Sequence, residues 1–243
     1  GVKVASPTGT TYLSTGLTNG VSYSYAVAAA NSAGIGPSSA PVSATPYTVP
    51  GAPTALVAAV GNGKVVLVWN APSSDGGLDI DHYAVYMNGV EVGQTTDTNF
   101  TMIDLTNGVI YQLTVAAHNS AGYGPLSSPL EATPMTLPGV PTDLRVTRND
   151  TQVTLTWNAP EDDGGSLIDH YVVYRDGDDF AHVITTNYSY LEPSIGSHVY
   201  TVAAHNDAGV GNLSSPVSVI ISQAPSAPGD LQVIPGNCLV LLT

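Results

Sequence analysis

The sequence predicts an all-β protein of tandem β-sandwiches set in an extended rod. Three observations carry this. Apolar and polar residues alternate with period two, as a half-buried strand requires. Gly, Pro, Asn and Asp punctuate that alternation roughly every 8–12 residues, the spacing of a sandwich or barrel. The pattern also recurs at a fixed distance: Trp69-Asn70-Ala71-Pro72 returns 88 residues later as Trp157-Asn158-Ala159-Pro160. Ile80-Asp81-His82-Tyr83 returns as Ile168-Asp169-His170-Tyr171, and Asn31-Ser32-Ala33-Gly34 as Asn119-Ser120-Ala121-Gly122 and Asn206-Asp207-Ala208-Gly209. A repeat this long is a whole small domain, beyond the 20–50 residues of a solenoid unit. No capped segment with a 3.6-residue period interrupts it.

Phasing the repeat divides the chain into four parts. Gly1-Val2 aligns with Gly89-Val90, and Thr243 with Thr156, so both ends fall inside a repeat. Residues 1–47 read as the C-terminal part of a domain, 48–135 and 136–223 as complete domains, and 224–243 as the N-terminal part of a further one. The expectation is a window on a longer polypeptide.

In the first complete domain Leu56 and Ala58 open an inward-facing series that Val65, Leu67 and Trp69 continue. Asp75-Gly76-Gly77 turns the chain, Tyr83 and Val85 follow, and Asn88-Gly89 has the composition of a tight hairpin turn. Phe100, Met102 and Leu105 form the next inward set. Tyr111, Leu113, Val115, Ala117 and Asn119 then hold strict period two up to the Gly122/Gly124 loop. Pro-rich segments, Thr45-Pro46-Tyr47-Thr48-Val49-Pro50 and Thr133-Pro134-Met135-Thr136-Leu137-Pro138, join the domains; proline favours extended backbone and stiffens such joints.

At this point the chain resembles the fibronectin type III family. The matching residues are Pro53/Pro141, the strand-B Trp69/Trp157, Pro72/Pro160, the Gly-Gly turn and Tyr83/Tyr171. The Leu105/Tyr111 pair (Leu17/Tyr23 earlier) and the Asn-x-Ala-Gly-x-Gly close complete the set. The resemblance implies immunoglobulin-like sandwiches of seven strands, sheet A-B-E packed on sheet C′-C-F-G. It also implies a tyrosine corner at the strand-F Tyr. The second complete domain departs there, with His198.

Composition narrows the partners. Lys and Arg number 5 against 19 Asp and Glu, a net charge of −14. Nucleic acid and anionic membranes need a basic footprint that Lys3, Lys64, Arg145, Arg148 and Arg175 are too scattered to make. No apolar run reaches the 18 residues of a membrane span. The single Cys238 shares parity with Val240 and Leu242 and reads as a core thiol. N-glycosylation sequons stand at Asn99, Asn149, Asn187 and Asn212, no more than chance supplies.

No nucleophile–base arrangement, phosphate loop, dinucleotide turn or zinc spacing appears, so no catalytic residue and no cofactor is assigned. His82/His170 and His118/His205 recur at equivalent positions, and the implied fold sets each pair side by side on one outward sheet face. Two imidazoles there match a transition-metal or pH-sensing site, but copied surface residues explain them as well, and the reading is that they hold no metal. Glu161-Asp162-Asp163 and Asp176-Gly177-Asp178-Asp179 lack calcium-loop spacing and read as solvated turns.

The outward faces of sheet A-B-E differ between the two complete domains. The first presents Val57, Ala59, Val66, Val68 and Ile103 together with Thr101. The second presents Arg145, Thr147, Thr154, Thr156, Ser189 and Leu191, as a solvated antiparallel face should. The start of the last part is apolar again at Ile234, Leu239 and Leu241. Val57, Ala59, Val66, Val68 and Ile103 are therefore read as an assembly face. The functional expectation is a non-enzymatic structural repeat segment of a longer extracellular or cell-surface protein, part of a filament, sheath or stalk. Its partners are other copies of itself or further domains of the same chain. Two alternatives remain: an adhesion or recognition module, and the non-catalytic spacer of a secreted polysaccharide-degrading enzyme. Aromatic-rich loops would mark recognition, yet Tyr123 is the one obvious loop aromatic. A catalytic domain elsewhere in the same chain would mark the spacer.

Overall fold

Alternation decides the strands, and turn residues decide where they end. The computed structural model describes residues 1–149, 151–192, 194–222, 229, 233–236 and 239–242. Among these there is no helix, and hence none long and apolar enough to cross a membrane. Cys238 lies outside the described residues, as do the side chains of Leu239, Val240, Leu241 and Leu242. The chain divides into two compact units, Gly1–Met135 and Thr136–Thr243.

The first unit begins with short strands β1 (Tyr23–Tyr25), β2 (Ala30–Asn31), β3 (Gly34–Ile35) and β4 (Val42–Ala44). They pair as β1 with β4 and β2 with β3. Tyr23 and Tyr25 are partly buried, and Val27 is exposed. A full sandwich follows: β5 (Thr54–Gly61), β6 (Lys64–Asn70), β7 (His82–Met87), β8 (Val90–Thr95), β9 (Asn99–Met102), β10 (Tyr111–Asn119), β11 (Gly122–Tyr123) and β12 (Leu130–Ala132). One sheet orders β5-β6-β9; the other runs β8-β7-β10, with β11 and β12 both paired to β10. This is the A-B-E on C′-C-F-G arrangement.

The core lies between the two sheets and holds the residues the alternation marks as inward. Val65, Leu67, Leu113 and Val115 are fully buried, and Trp69 is 1% exposed, its ring edge-on to Tyr83 at 5.5 Å. A large ring filling the space between sheets dominates such a core. The alternation fails at Tyr83-Ala84-Val85, where all three are buried; small Ala84 sits in the middle of the sheet, opposite Ala116. Asn88 and Gly89 both take positive φ, 52° and 80°, the primed turn the dipeptide favours.

The second unit repeats the plan with β13 (Thr142–Asn149), β14 (Gln152–Asn158), β15 (His170–Arg175), β16 (Asp178–Val183), β17 (Asn187–Leu191), β18 (Gly196–Asn206), β19 (Gly209–Val210) and β20 (Val217–Ile221). Its sheets are β13-β14-β17 and β16-β15-β18, with β19 and β20 on β18. Trp157 is 4% exposed and meets Tyr171 edge-on at 5.5 Å. A last hairpin pairs β21 (Val233–Gly236) with β22 (Leu239–Leu242). The first residue of each outer strand is displaced by a bulge, between Thr54 and Val57 and between Thr142 and Arg145, with Ala55 and Asp143 at positive φ.

The residues that close each repeat have a role that the periodicity does not show. Asn119 is fully buried; its Nδ2 donates to the carbonyls of Thr48 at 2.9 Å and Asp75 at 2.7 Å, and its Oδ1 accepts from Ala121 N–H. Asn206 makes the same three bonds to Thr136, Asp163 and Ala208. Each Asn thus ties the leading segment of its sandwich to the Gly-Gly turn. A Cβ at Gly76 would lie 2.2 Å from the Thr48 carbonyl oxygen, and one at Gly164 equally close to Thr136, so only glycine fits there.

His198 replaces the corner tyrosine of the second sandwich, and the corner is rebuilt. Tyr111 and Tyr23 accept the Thr106 and Thr18 backbone N–H groups, as the tyrosine corner requires. His198 instead sets Nδ1 2.7 Å from Asp176 Oδ2 and Nε2 3.3 Å from the Ser194 carbonyl. Beside it, fully buried Glu192 accepts from Arg175, Tyr190 and the Ser194 N–H.

Candidate functional site

Strands β7 and β10 pair in the register that puts His82 directly opposite His118, and β15 and β18 put His170 opposite His205. Directly opposed side chains on one face are close neighbours. The ring centroids are 4.4 Å apart in the first pair and 4.3 Å in the second. The expected adjacency is therefore present in both sandwiches.

The structure adds a third member that spacing alone does not single out. Asp81 precedes His82, and its N–H donates to the His118 carbonyl at 3.0 Å, which fixes its place beside both rings. Asp81 Oδ1 lies 2.6 Å from His82 Nδ1 and 2.8 Å from His118 Nδ1. Asp169 repeats this with His170 at 2.7 Å and His205 at 2.8 Å, and its N–H likewise donates to the His205 carbonyl. In each sandwich the three candidate ligand atoms lie within 4.8 Å of one another. The hydrogen bond from His118 foremost, then that from His82, holds the Asp81 carboxyl below its ordinary range. Desolvation pushes Asp169 the other way, but the bonds from His205 and His170 outweigh it and hold it low as well. The signal in the sequence was the repeated Ile-Asp-His-Tyr tetrapeptide, whose Asp carries as much of the site as its His.

The surroundings of the two clusters differ. His82 Nε2 is 2.9 Å from the Tyr123 hydroxyl, which also accepts from Gln94 Nε2 at 3.0 Å. Tyr123, the one loop aromatic noted in the sequence, thus packs against the His pair, its ring 4.5 Å from that of His118. In the second sandwich His182 takes the place of Gln94 and stacks on His170 at 5.0 Å, its Nε2 bonded to Asp179.

The outward face of sheet β5-β6-β9 presents Val57, Ala59, Val66, Val68 and Ile103. Val57 is 59% exposed, Val68 42% and Ile103 64%; Ala59 is exposed and Val66 half-buried. Val57 faces Val68 and Ala59 faces Val66 across the β5–β6 pair. On the second sandwich the equivalent Thr154 and Ser189 hydroxyls bond each other at 2.9 Å. Asn99, Asn149, Asn187 and Asn212 are all exposed. The acidic loops build turns: Asp162 and Asp163 accept from the Gly164 and Gly165 N–H groups, and Asp176 from that of Val199.

Comparison with known proteins places these features in context. The Fibronectin type III domain model matches residues 51–133 and 139–220, more than half of the chain. Exoglucanase B of Cellulomonas fimi is 32% identical over 251 residues, covering 95% of this chain and 23% of that protein. Receptor-type tyrosine-protein phosphatase F of Mus musculus is 35% identical over 172 residues, covering 66% and 9% respectively. M-protein of striated muscle from Gallus gallus is 30% identical over 249 residues, covering 91% and 17%. The chain spans less than a quarter of the length of each of these relatives.

Proposed function

Because the chain belongs to the fibronectin type III family, we propose that it is a non-enzymatic structural repeat segment of a longer extracellular or cell-surface protein. In this reading the segment belongs to a filament, sheath or stalk, and a second copy of the chain packs laterally on the outward β5-β6-β9 face. The observation that carries it is the apolar set of exposed Val57, Val68 and Ile103 with half-buried Val66, drawn from β5, β6 and the residue just after β9. The same positions on the second sandwich are mostly polar, so the fold itself does not require them to be apolar. Fully burying a Val or Ile side chain stabilises by roughly 1.5–3 kcal/mol. Even partial cover over four such residues offsets part of the lost rigid-body freedom, and repetition along an assembly multiplies it.

Val66→Asp with Val68→Asp tests the contact. Sedimentation velocity should show association in the parent chain and its loss in the variant, with Trp fluorescence confirming that the sandwich still folds. Association unchanged in a folded variant sinks the lateral contact.

A second reading rests on the similarity to Exoglucanase B of Cellulomonas fimi: the segment is a non-catalytic spacer of a secreted polysaccharide-degrading enzyme. Sequencing the native polypeptide distinguishes the two. A catalytic domain in the same chain favours the spacer, and further repeats favour the structural array.

A further inference from the structure

We propose that Asp81, His82 and His118 form a binding site for a borderline divalent transition cation such as zinc, and that Asp169, His170 and His205 form a second. Two imidazoles and one carboxylate are the donor set such cations take. In both sandwiches the two Nδ1 atoms converge on the same carboxylate, at 2.6 and 2.8 Å in one and 2.7 and 2.8 Å in the other. Zinc sits about 2.0–2.2 Å from such N and O donors, which in tetrahedral geometry puts the donors roughly 3.3–3.6 Å from each other. The carboxylate therefore has to withdraw by roughly half to one ångström to admit the ion, and Asp81 and Asp169 stand on the solvent side of the pair, their side chains 50% and 51% exposed. Three protein donors leave the remaining position to water.

The first site also has a group fitted to fix the ligating tautomer. Coordination through His82 Nδ1 moves its proton to Nε2, which lies 2.9 Å from the Tyr123 oxygen. A hydroxyl either donates to a bare Nε2 or accepts from Nε2–H, so Tyr123 serves both the free and the loaded ring. Gln94, donating to Tyr123 at 3.0 Å and to Glu91 at 2.9 Å, holds the hydroxyl in place. Partners of this kind orient metal-bound histidines. The two sandwiches differ around the trio, with Gln94 against His182 and Tyr123 against Val210, and on the outer β5-β6-β9 face; the trio itself is the same.

Equilibrium dialysis of the untagged whole chain against zinc, followed by elemental analysis, tests the proposal. The expected result is two zinc ions per chain. His118→Ala should leave one, and His118→Ala with His205→Ala should leave none. Tyr123→Phe should weaken the first site about tenfold and leave the second unchanged. Long-range proton–nitrogen correlation spectra of the parent chain provide a readout that needs no variant. Zinc should move the Nδ1 resonances of His82, His118, His170 and His205 and leave those of His198 in place. Binding that survives in the folded double variant, ligation through Nε2 instead, or no binding by the parent chain would each overturn it.

Discussion

Asn206 shows how much one buried amide can hold. It satisfies the carbonyls of Thr136 and Asp163 and the N–H of Ala208 with no exposed surface. Asn206→Ala leaves both partly buried carbonyls without their donor, and each group left unsatisfied costs about 1–3 kcal/mol. Calorimetry should show a destabilised second sandwich, with Asn119→Ala doing the same to the first. His198 gives a pH signature at the same scale. Its bond to Asp176 is the main cause of a pKa above the ordinary histidine value, assisted by the Ser194 carbonyl. A raised pKa means the pair stabilises fully below about pH 6.5, the unfolded value, and that this stability is lost as pH rises through the folded one. The melting temperature of the second sandwich should therefore fall between neutral and mildly alkaline pH, and His198→Gln should flatten that decline. A decline of equal slope in the variant would assign it to other groups.

Among the elements, the junction of β17 with β18 carries a cluster that the first sandwich lacks. Burial alone would raise the Glu192 carboxyl, but bonds from Tyr190 and Ser194 and the charge of Arg175 outweigh it and hold it at about 2. Arg175 also lies over the Phe180 ring at 4.6 Å. Glu192 is fully buried while Arg175 is partly exposed, so losing the carboxylate costs mainly the bonds it accepts, about 1–3 kcal/mol. Glu192→Ala should cost the second sandwich stability of that order in chemical denaturation, while leaving the first unchanged. Because the Glu192 pKa is depressed, its contribution is present above about pH 4.3, the unfolded value, and is lost as the pH falls toward 2. Acid denaturation of Glu192→Gln should show a correspondingly shallower fall. The β strands themselves were legible from alternation, and so were the buried Trp69 and Trp157 and the Asn88-Gly89 turn, because each rests on a local pattern. The Glu192 cluster was not, since Arg175 reaches Glu192, and Tyr200 reaches the Tyr190 hydroxyl, only once the two sheets have closed on each other.

At the scale of the whole molecule, net charge and the apolar face oppose each other. A charge of −14 makes copies repel, and salt screens that repulsion with a Debye length of about 10 Å at 0.1 M. If apolar cover drives lateral packing, association measured by sedimentation should strengthen as sodium chloride rises from low to physiological concentration. Weakening over that range would mean that ion pairs, rather than Val57, Val66, Val68 and Ile103, make the contact.

The all-β class, the repeated sandwich and its inward residues were readable from the chain alone, because period-two alternation and turn chemistry are local and the 88-residue recurrence needs no contact to be seen. With the strand order that the family resemblance implies, outward parity also brought His82 to His118 and His170 to His205. Folding was needed to show that Asp81 and Asp169 complete those pairs, that Asn119 and Asn206 clamp the segment leading each sandwich, and that His198 and Glu192 rebuild a corner. In each case the deciding contact joins groups distant in the chain, and its worth depends on distances and burial that exist only after the sheets have closed on their core.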